Sequence, residues 1–150
     1  MTDDLKLQMN EESTGYLLYH LTIIVERKIK RELDKLGITH TQFIVLANIF
    51  RLSDDSKILT QIDIANKSKM DKMMVSKILR TLQTKDLVTR EVHTTDTRAK
   101  TILITQNGKT LLEKAFETVK KAENSFFEPI LNVKEEFNSS IKILLRVNQE

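Results

Sequence analysis

Thr60-Gln61-Ile62-Asp63-Ile64-Ala65-Asn66-Lys67-Ser68-Lys69-Met70-Asp71-Lys72-Met73-Met74-Val75-Ser76-Lys77-Ile78-Leu79-Arg80-Thr81-Leu82-Gln83-Thr84 holds the deciding pattern of this 150-residue chain. Thr60 is an N-cap for a short helix, from Gln61 to about residue 67, that presents Ile62, Ile64 and Ala65. The turn Ser68-Lys69-Met70 leads to Asp71, a second N-cap, and a helix to about residue 84. In that helix Val75, Ile78, Leu79 and Leu82 recur at i, i+3, i+4 and i+7, forming one apolar face. Met73, Ser76, Lys77 and Arg80 repeat the spacing two residues earlier. Two residues turn a helix by about 200°, so the second set lies almost opposite the first. One face packs, and the other shows hydroxyl, cationic and flexible apolar groups.

Upstream, Ser13 caps a long helix with apolar positions Leu17, Leu18, Leu21, Ile24, Val25, Ile29, Leu33 and Leu36. Gly37 follows, where a left-handed C-terminal cap is expected. Thr39-His40-Thr41-Gln42 has the form of a capping box and opens a helix expected to bury Phe43, Leu46, Ala47 and Phe50. Ser53-Asp54-Asp55-Ser56 reads as a polar loop. Downstream, residues 87–93 and 101–104 are rich in β-branched side chains and predict an antiparallel hairpin with its tip at 94–99. Thr105 caps another long helix, carrying Leu112, Ala115, Phe116, Val119, Ala122 and Phe126, which Pro129 interrupts. Asn132-Val133-Lys134-Glu135 resembles a further cap, opening a last helix with Phe137, Ile141, Leu144 and Leu145. The predicted class is mainly α, in the order helix, helix, helix–turn–helix, hairpin, helix, helix.

Composition supports this and excludes several functions. Three Gly and one Pro are too few for a many-stranded sandwich or barrel. No cysteine is present, so there is no disulfide framework, thiol nucleophile or thiol redox switch. The longest apolar run, Phe43-Ile44-Val45-Leu46-Ala47, is far short of the about 20 residues a membrane span needs. Asp3 and Asp4 stand where a signal peptide would be basic, so a cytoplasmic protein is expected. His20, His40 and His93 fall on different elements with no ligand spacing, and read as structural or solvated. The glycines are too scattered to cradle a phosphate. An enzyme, a metal and a cofactor are therefore not expected.

The formal net charge of +3 conceals a partition. Residues 57–101 carry ten basic and five acidic side chains, a net +5, whereas the other 105 residues carry −2. This basic segment contains none of the eight aromatic residues, which argues against a single-strand reader that stacks bases. Double-stranded DNA suits it better, with the second helix of the pair offering its cationic face to phosphates and base edges. At the hairpin tip, Asp96-Thr97-Arg98-Ala99-Lys100 adds two cations, with Asp96 close enough to orient the Arg98 guanidinium toward a minor groove.

Residues 39–108 resemble the MarR family of bacterial winged-helix transcriptional regulators. The resemblance rests on Ile38-Thr39-His40-Thr41-Gln42-Phe43-Ile44-Val45-Leu46, Leu59-Thr60-Gln61-Ile62-Asp63-Ile64-Ala65 and Met70-Asp71. It continues in Val75-Ser76-Lys77-Ile78-Leu79-Arg80-Thr81-Leu82, Leu87-Val88-Thr89-Arg90, Asp96-Thr97-Arg98-Ala99-Lys100 and Ile104-Thr105-Gln106-Asn107-Gly108. It implies a winged helix-turn-helix with a two-stranded wing (39–105) and N- and C-terminal dimerisation helices (1–38 and 106–150). It also implies a homodimer, an inverted-repeat operator, repression, and release by a small phenolic or amphipathic effector.

On this reading the candidate DNA contacts are Thr60, Lys69, Lys72, Met73, Met74, Ser76, Lys77, Arg80, Thr97, Arg98 and Lys100, with Asp96 orienting the wing. The candidate dimer interface is Leu17, Leu21, Phe137, Ile141, Leu144 and Leu145, since apolar faces on terminal helices need a partner and a second copy is the simplest. The Met and Phe stripes are read as dimer core before effector pocket. Three departures from the family pattern stand out, the first being that some relatives sense oxidants through cysteine and this chain has none. Asp86 replaces a usual Gly, where left-handed geometry suits Asp less, and Met73 and Met74 replace small or hydroxylated residues. The alternative is a winged-helix protein-interaction module without sequence-specific DNA binding.

Overall fold

The computed structural model describes residues 13–53, 58–92 and 100–148. Helices α1 (Thr14–Asp34) and α2 (His40–Leu52) precede the pair α3 (Gln61–Ser68) and α4 (Lys72–Thr84). Strands β1 (Val88–Val92) and β2 (Lys100–Ile104) follow, then α5 (Gln106–Phe127), a 3₁₀ segment (Glu128–Val133) and α6 (Lys134–Val147). The fold is the mainly helical winged helix-turn-helix expected.

Most boundaries have the local cause expected of them. Ser13 Oγ accepts from the Tyr16 N–H at 3.3 Å. Gly37 adopts φ +73°, and the Ile38 N–H then reaches back to the Leu33 carbonyl at 3.4 Å, closing α1 in a Schellman motif. Thr39 and Gln42 form a reciprocal capping box, both bonds 3.2 Å. Thr105 Oγ1 accepts from the Gly108 N–H at 2.9 Å and starts α5. The last helix departs from expectation. Asn132 does not cap it, because the 3₁₀ segment containing Pro129 runs directly into Lys134 and Val133 makes no side-chain capping bond.

Helix α2 is the centre of the lobe, with α1, α3, α4, α5 and β2 all packed around it. That position corrects the single stripe expected there. Val45 and Ile49 are fully buried on a second face, about 200–240° around the helix from Phe43, while Phe50 is half exposed and Ala47 half-buried. Ile62 is likewise exposed, because it lies about 200° from Ile64 on a helix whose inward side is Ile64 and Ala65. Helix α4 keeps its expected face, with Val75, Ile78, Leu79 and Leu82 all buried.

The two strands are antiparallel, with Val88 opposite Ile104, Arg90 opposite Ile102 and Val92 opposite Lys100. They begin one residue later and earlier, respectively, than expected; His93 and the tip at 94–99 lie outside the described residues. The Ile102 N–H donates to the Leu59 carbonyl at 3.0 Å, tying the wing to the segment that enters α3.

The terminal helices are less covered. Helix α6 packs on the 3₁₀ segment and buries none of its residues, and in α1 only Ile29 and Leu33 are buried. Phe116 on α5 is exposed within the single chain, and Phe126 is half-buried. No described helix is long and apolar enough to cross a membrane.

Candidate nucleic-acid interface

Three side-chain anchors fix the helix–turn–helix. The Thr60 hydroxyl accepts from the Asp63 N–H at 3.3 Å and donates to Asp63 Oδ2 at 2.7 Å, while the Thr60 N–H donates to the same oxygen at 2.9 Å. Gln61 Nε2 donates to the Lys72 carbonyl at 3.0 Å, holding the first turn of α3 against the start of α4. At the other end of α3, Asn48 Nδ2 donates to Ser68 Oγ at 3.0 Å. Asn48 is 7% exposed, and it is the buried polar residue among those described.

The turn between the helices is tighter than its sequence advertises. Lys69 sits at φ +54°, and the Met70 N–H returns to the Ala65 carbonyl at 3.1 Å. This is the same closure that Gly37 makes, built here on a lysine. Asp71 Oδ1 then accepts from the Met74 N–H at 2.8 Å and launches α4. Asp86 is the other non-glycine residue at positive φ, +56°. Its left-handed geometry is held on three sides. Its N–H donates to the Gln83 carbonyl at 3.0 Å, its carbonyl accepts from Thr105 Oγ1 at 2.7 Å, and its carboxylate accepts from Asn107 Nδ2 at 2.7 Å.

With the inward side of α4 filled, the opposite side is left to solvent. Met73 is 85% exposed and Met74 41%, and Lys72, Lys77 and Arg80 are exposed beside them. Lys69 is exposed on the preceding turn. Ser76 is only half-buried, and Thr60, also half-buried, spends its hydroxyl on its cap. Thr97, Arg98 and Asp96 lie outside the described residues, and of Lys100 only the backbone pairing is described.

The candidate dimer residues are placed on the outer helices. Leu17, Leu144 and Leu145 are 54%, 53% and 58% exposed within the single chain, while Leu21, Phe137 and Ile141 are half-buried. Between α2 and α5 runs a cleft of about 750 Å³ whose apolar walls include Phe43, Ile44, Phe50, Leu112, Phe116 and Val119. The lining also carries charges of both signs, Arg51, Lys109 and Lys120 with Glu113, Glu117 and Glu123. Phe50, expected in the core, lines this cleft together with Phe116, and both are accessible. Among the described residues no group of three or more His, Asp or Glu is placed to hold a metal ion.

This architecture has known counterparts. Residues 34–123 match the ArnR1-like winged-helix domain family. The HTH-type transcriptional regulator YdcH of Bacillus subtilis (strain 168) is 31% identical over 134 residues, covering 89% of this chain and 90% of its own. The S. aureus MepR–DNA complex superimposes with a TM-score of 0.78 at 26% identity, covering 93% of this chain and 99% of that one. Wild-type MarR from E. coli, in its apo form, shares the fold with a TM-score of 0.69 at 20% identity, over 91% and 98% of the two chains. The chain therefore belongs to the MarR family of winged helix-turn-helix, DNA-binding transcriptional regulators.

Proposed function

We propose that the protein is a homodimeric repressor that binds an inverted-repeat operator and releases it when a small amphipathic or phenolic molecule binds. The observation that carries the reading is the division of α4. Val75, Ile78, Leu79 and Leu82 are buried, while Met73, Lys77 and Arg80 face outward from a lobe with a net charge of +5. A cationic helix presented by a helix–turn–helix suits a major groove, where phosphate contacts position it and base contacts select the sequence. The S. aureus MepR–DNA complex, a relative with the same fold, supports DNA as the partner.

The dimer is supported by the apolar residues that α1 and α6 leave exposed, Leu17, Leu144, Leu145 and Val147 among them. Two copies related by a two-fold axis would present two α4 helices to two half-sites. The effector is supported by the cleft between α2 and α5, whose volume of about 750 Å³ is in the range of drug-sized ligand pockets. Arg98 is proposed to enter the minor groove from the wing, with Asp96 orienting it and Thr97 and Lys100 contributing to the backbone contact.

Selection of bound duplexes from a random pool tests the reading. The expected result is an enriched inverted repeat. With the operator in hand, Arg98→Ala should weaken binding across sequences and lower the salt slope by about one, whereas Lys77→Ala should change base preference at one position. A folded dimer that enriches no sequence would instead favour the protein-interaction module.

A further inference from the structure

Met73 is the most exposed large apolar side chain among the described residues, at 85%. It is the second residue of α4, on the side opposite the buried stripe, and exposed Lys69, Lys72, Lys77 and Arg80 surround it in sequence. A singly exposed apolar residue is ordinary. This one, however, lies on the outward face of the second helix of the pair, flanked in sequence by four cations, which is where a polyanionic partner would cover it. A second copy of this chain is a poor cover, because four cations would meet four cations. A polyanion with an apolar feature between its charges is a good one. The major groove of DNA has that arrangement, with phosphates along both rims and base edges on the floor.

A thioether donates no hydrogen bond and accepts only weakly, so Met73 is unsuited to reading guanine O6 and N7 or an exocyclic amine. The apolar group that base edges offer in the major groove is the C5-methyl of thymine. First-turn residues of the second helix in a helix–turn–helix are the ones that reach base edges, and the unbranched methionine chain adapts to an irregular contact. We propose that Met73 is a specificity-determining residue that selects thymine at one position of each half-site by packing on its C5-methyl group. This rests on the operator-binding reading above.

Replacing thymine by deoxyuridine removes that methyl and leaves pairing and charge unchanged. Binding of the wild-type dimer to the selected operator should weaken about fourfold per half-site at one such position, the effect of uncovering one methyl group. Met73→Ala should bind the two duplexes equally there, and Met73→Gln should shift the preference at that position toward adenine. Since Met73 is exposed, both variants should retain the wild-type circular dichroism spectrum. If every deoxyuridine effect persists in Met73→Ala, the thymine assignment is wrong while operator binding stands. If the wild-type protein enriches no operator at all, both readings fall together.

Discussion

The wing and α5 meet at Gly108, and a single methyl group there decides between two opposing forces. Gly108 is buried in the first turn of α5, where replacing Gly by Ala ordinarily stabilises a helix by up to about 1 kcal/mol. A Cβ at this position, however, would lie 2.1 Å from the Leu87 carbonyl oxygen, 2.8 Å from Ile104 Cγ1 and 3.1 Å from the Leu87 carbonyl carbon. Restoring a tolerable 3.0 Å separation from the oxygen needs about 0.9 Å of movement. That oxygen is not free to swing away, since it accepts the Thr105 N–H at 3.1 Å, and Thr105 also bonds the Asp86 carbonyl and the Gly108 N–H. Overpacking costs about 1–3 kcal/mol, and a clash against tethered backbone belongs at the upper end. The net expectation for Gly108→Ala is a loss of about 1–2 kcal/mol, a fall in Tm of roughly 2–8 °C for a chain of this size. The other two glycines calibrate the measurement. Gly15→Ala meets nothing within 4 Å and should raise Tm slightly, whereas Gly37→Ala, at φ +73°, should lose about 1–2 kcal/mol through left-handed strain alone. Thermal melts of the three variants by far-UV circular dichroism, at one protein concentration, check the ordering. A Gly108→Ala protein melting at or above wild type would refute the packing argument.

The left-handed turn gives a variant whose two readouts should move in opposite directions. Lys69→Gly relieves a φ of +54°, worth about 1–2 kcal/mol, against about 0.4–1 kcal/mol of added unfolded-state entropy. Its Tm should therefore rise by a few degrees, while operator affinity falls and the salt slope drops by about one as a phosphate contact is lost. At the outer helices, Leu144→Glu changes a side chain that is 53% exposed in the single chain, so helicity should persist while sedimentation shows the dimer weakened. An unaltered dimer would remove α6 from the proposed interface.

Much of this fold was legible because its boundaries are written in side-chain chemistry. Thr39 with Gln42, Thr60 with Asp63, Asp71 and Thr105 all cap the helices they precede, and Gly37 marks the end of α1 by its freedom at positive φ. Lys69 was not legible, because the same geometry was placed on a residue that carries no signal for it. Helix α2 misled the single-stripe reading for a different reason. A helix surrounded on most sides has two apolar faces, and periodicity alone cannot say which apolar residue is left at an opening. Phe50, which lines the cleft and is exposed, is that residue.

The outward face of α4 was legible for a firmer reason: in a helix packed on one side only, burial of one stripe fixes the direction of the opposite one. Val75, Ile78, Leu79 and Leu82 point inward, so Met73, Lys77 and Arg80 have no other direction to take. Chemistry at that face then depends on which groups are already spent. Thr60 has the residue type of a phosphate contact, yet its hydroxyl proton is committed to Asp63 Oδ2, a bond within the lobe that DNA would have to outcompete. Among the described residues Lys77 and Arg80 make no hydrogen bond or ion pair through their charged groups, and can meet phosphates without breaking one there. Residue type therefore nominates a contact, and the local hydrogen-bond account decides what it costs to make. The apolar faces of α1 and α6 follow the same logic at larger scale. Their exposed leucines are uncommitted surface within one chain, and covering it with a second copy would order the two lobes relative to each other. Operator spacing should therefore respond to substitutions at Leu17 or Leu145 that leave every DNA-facing side chain unchanged.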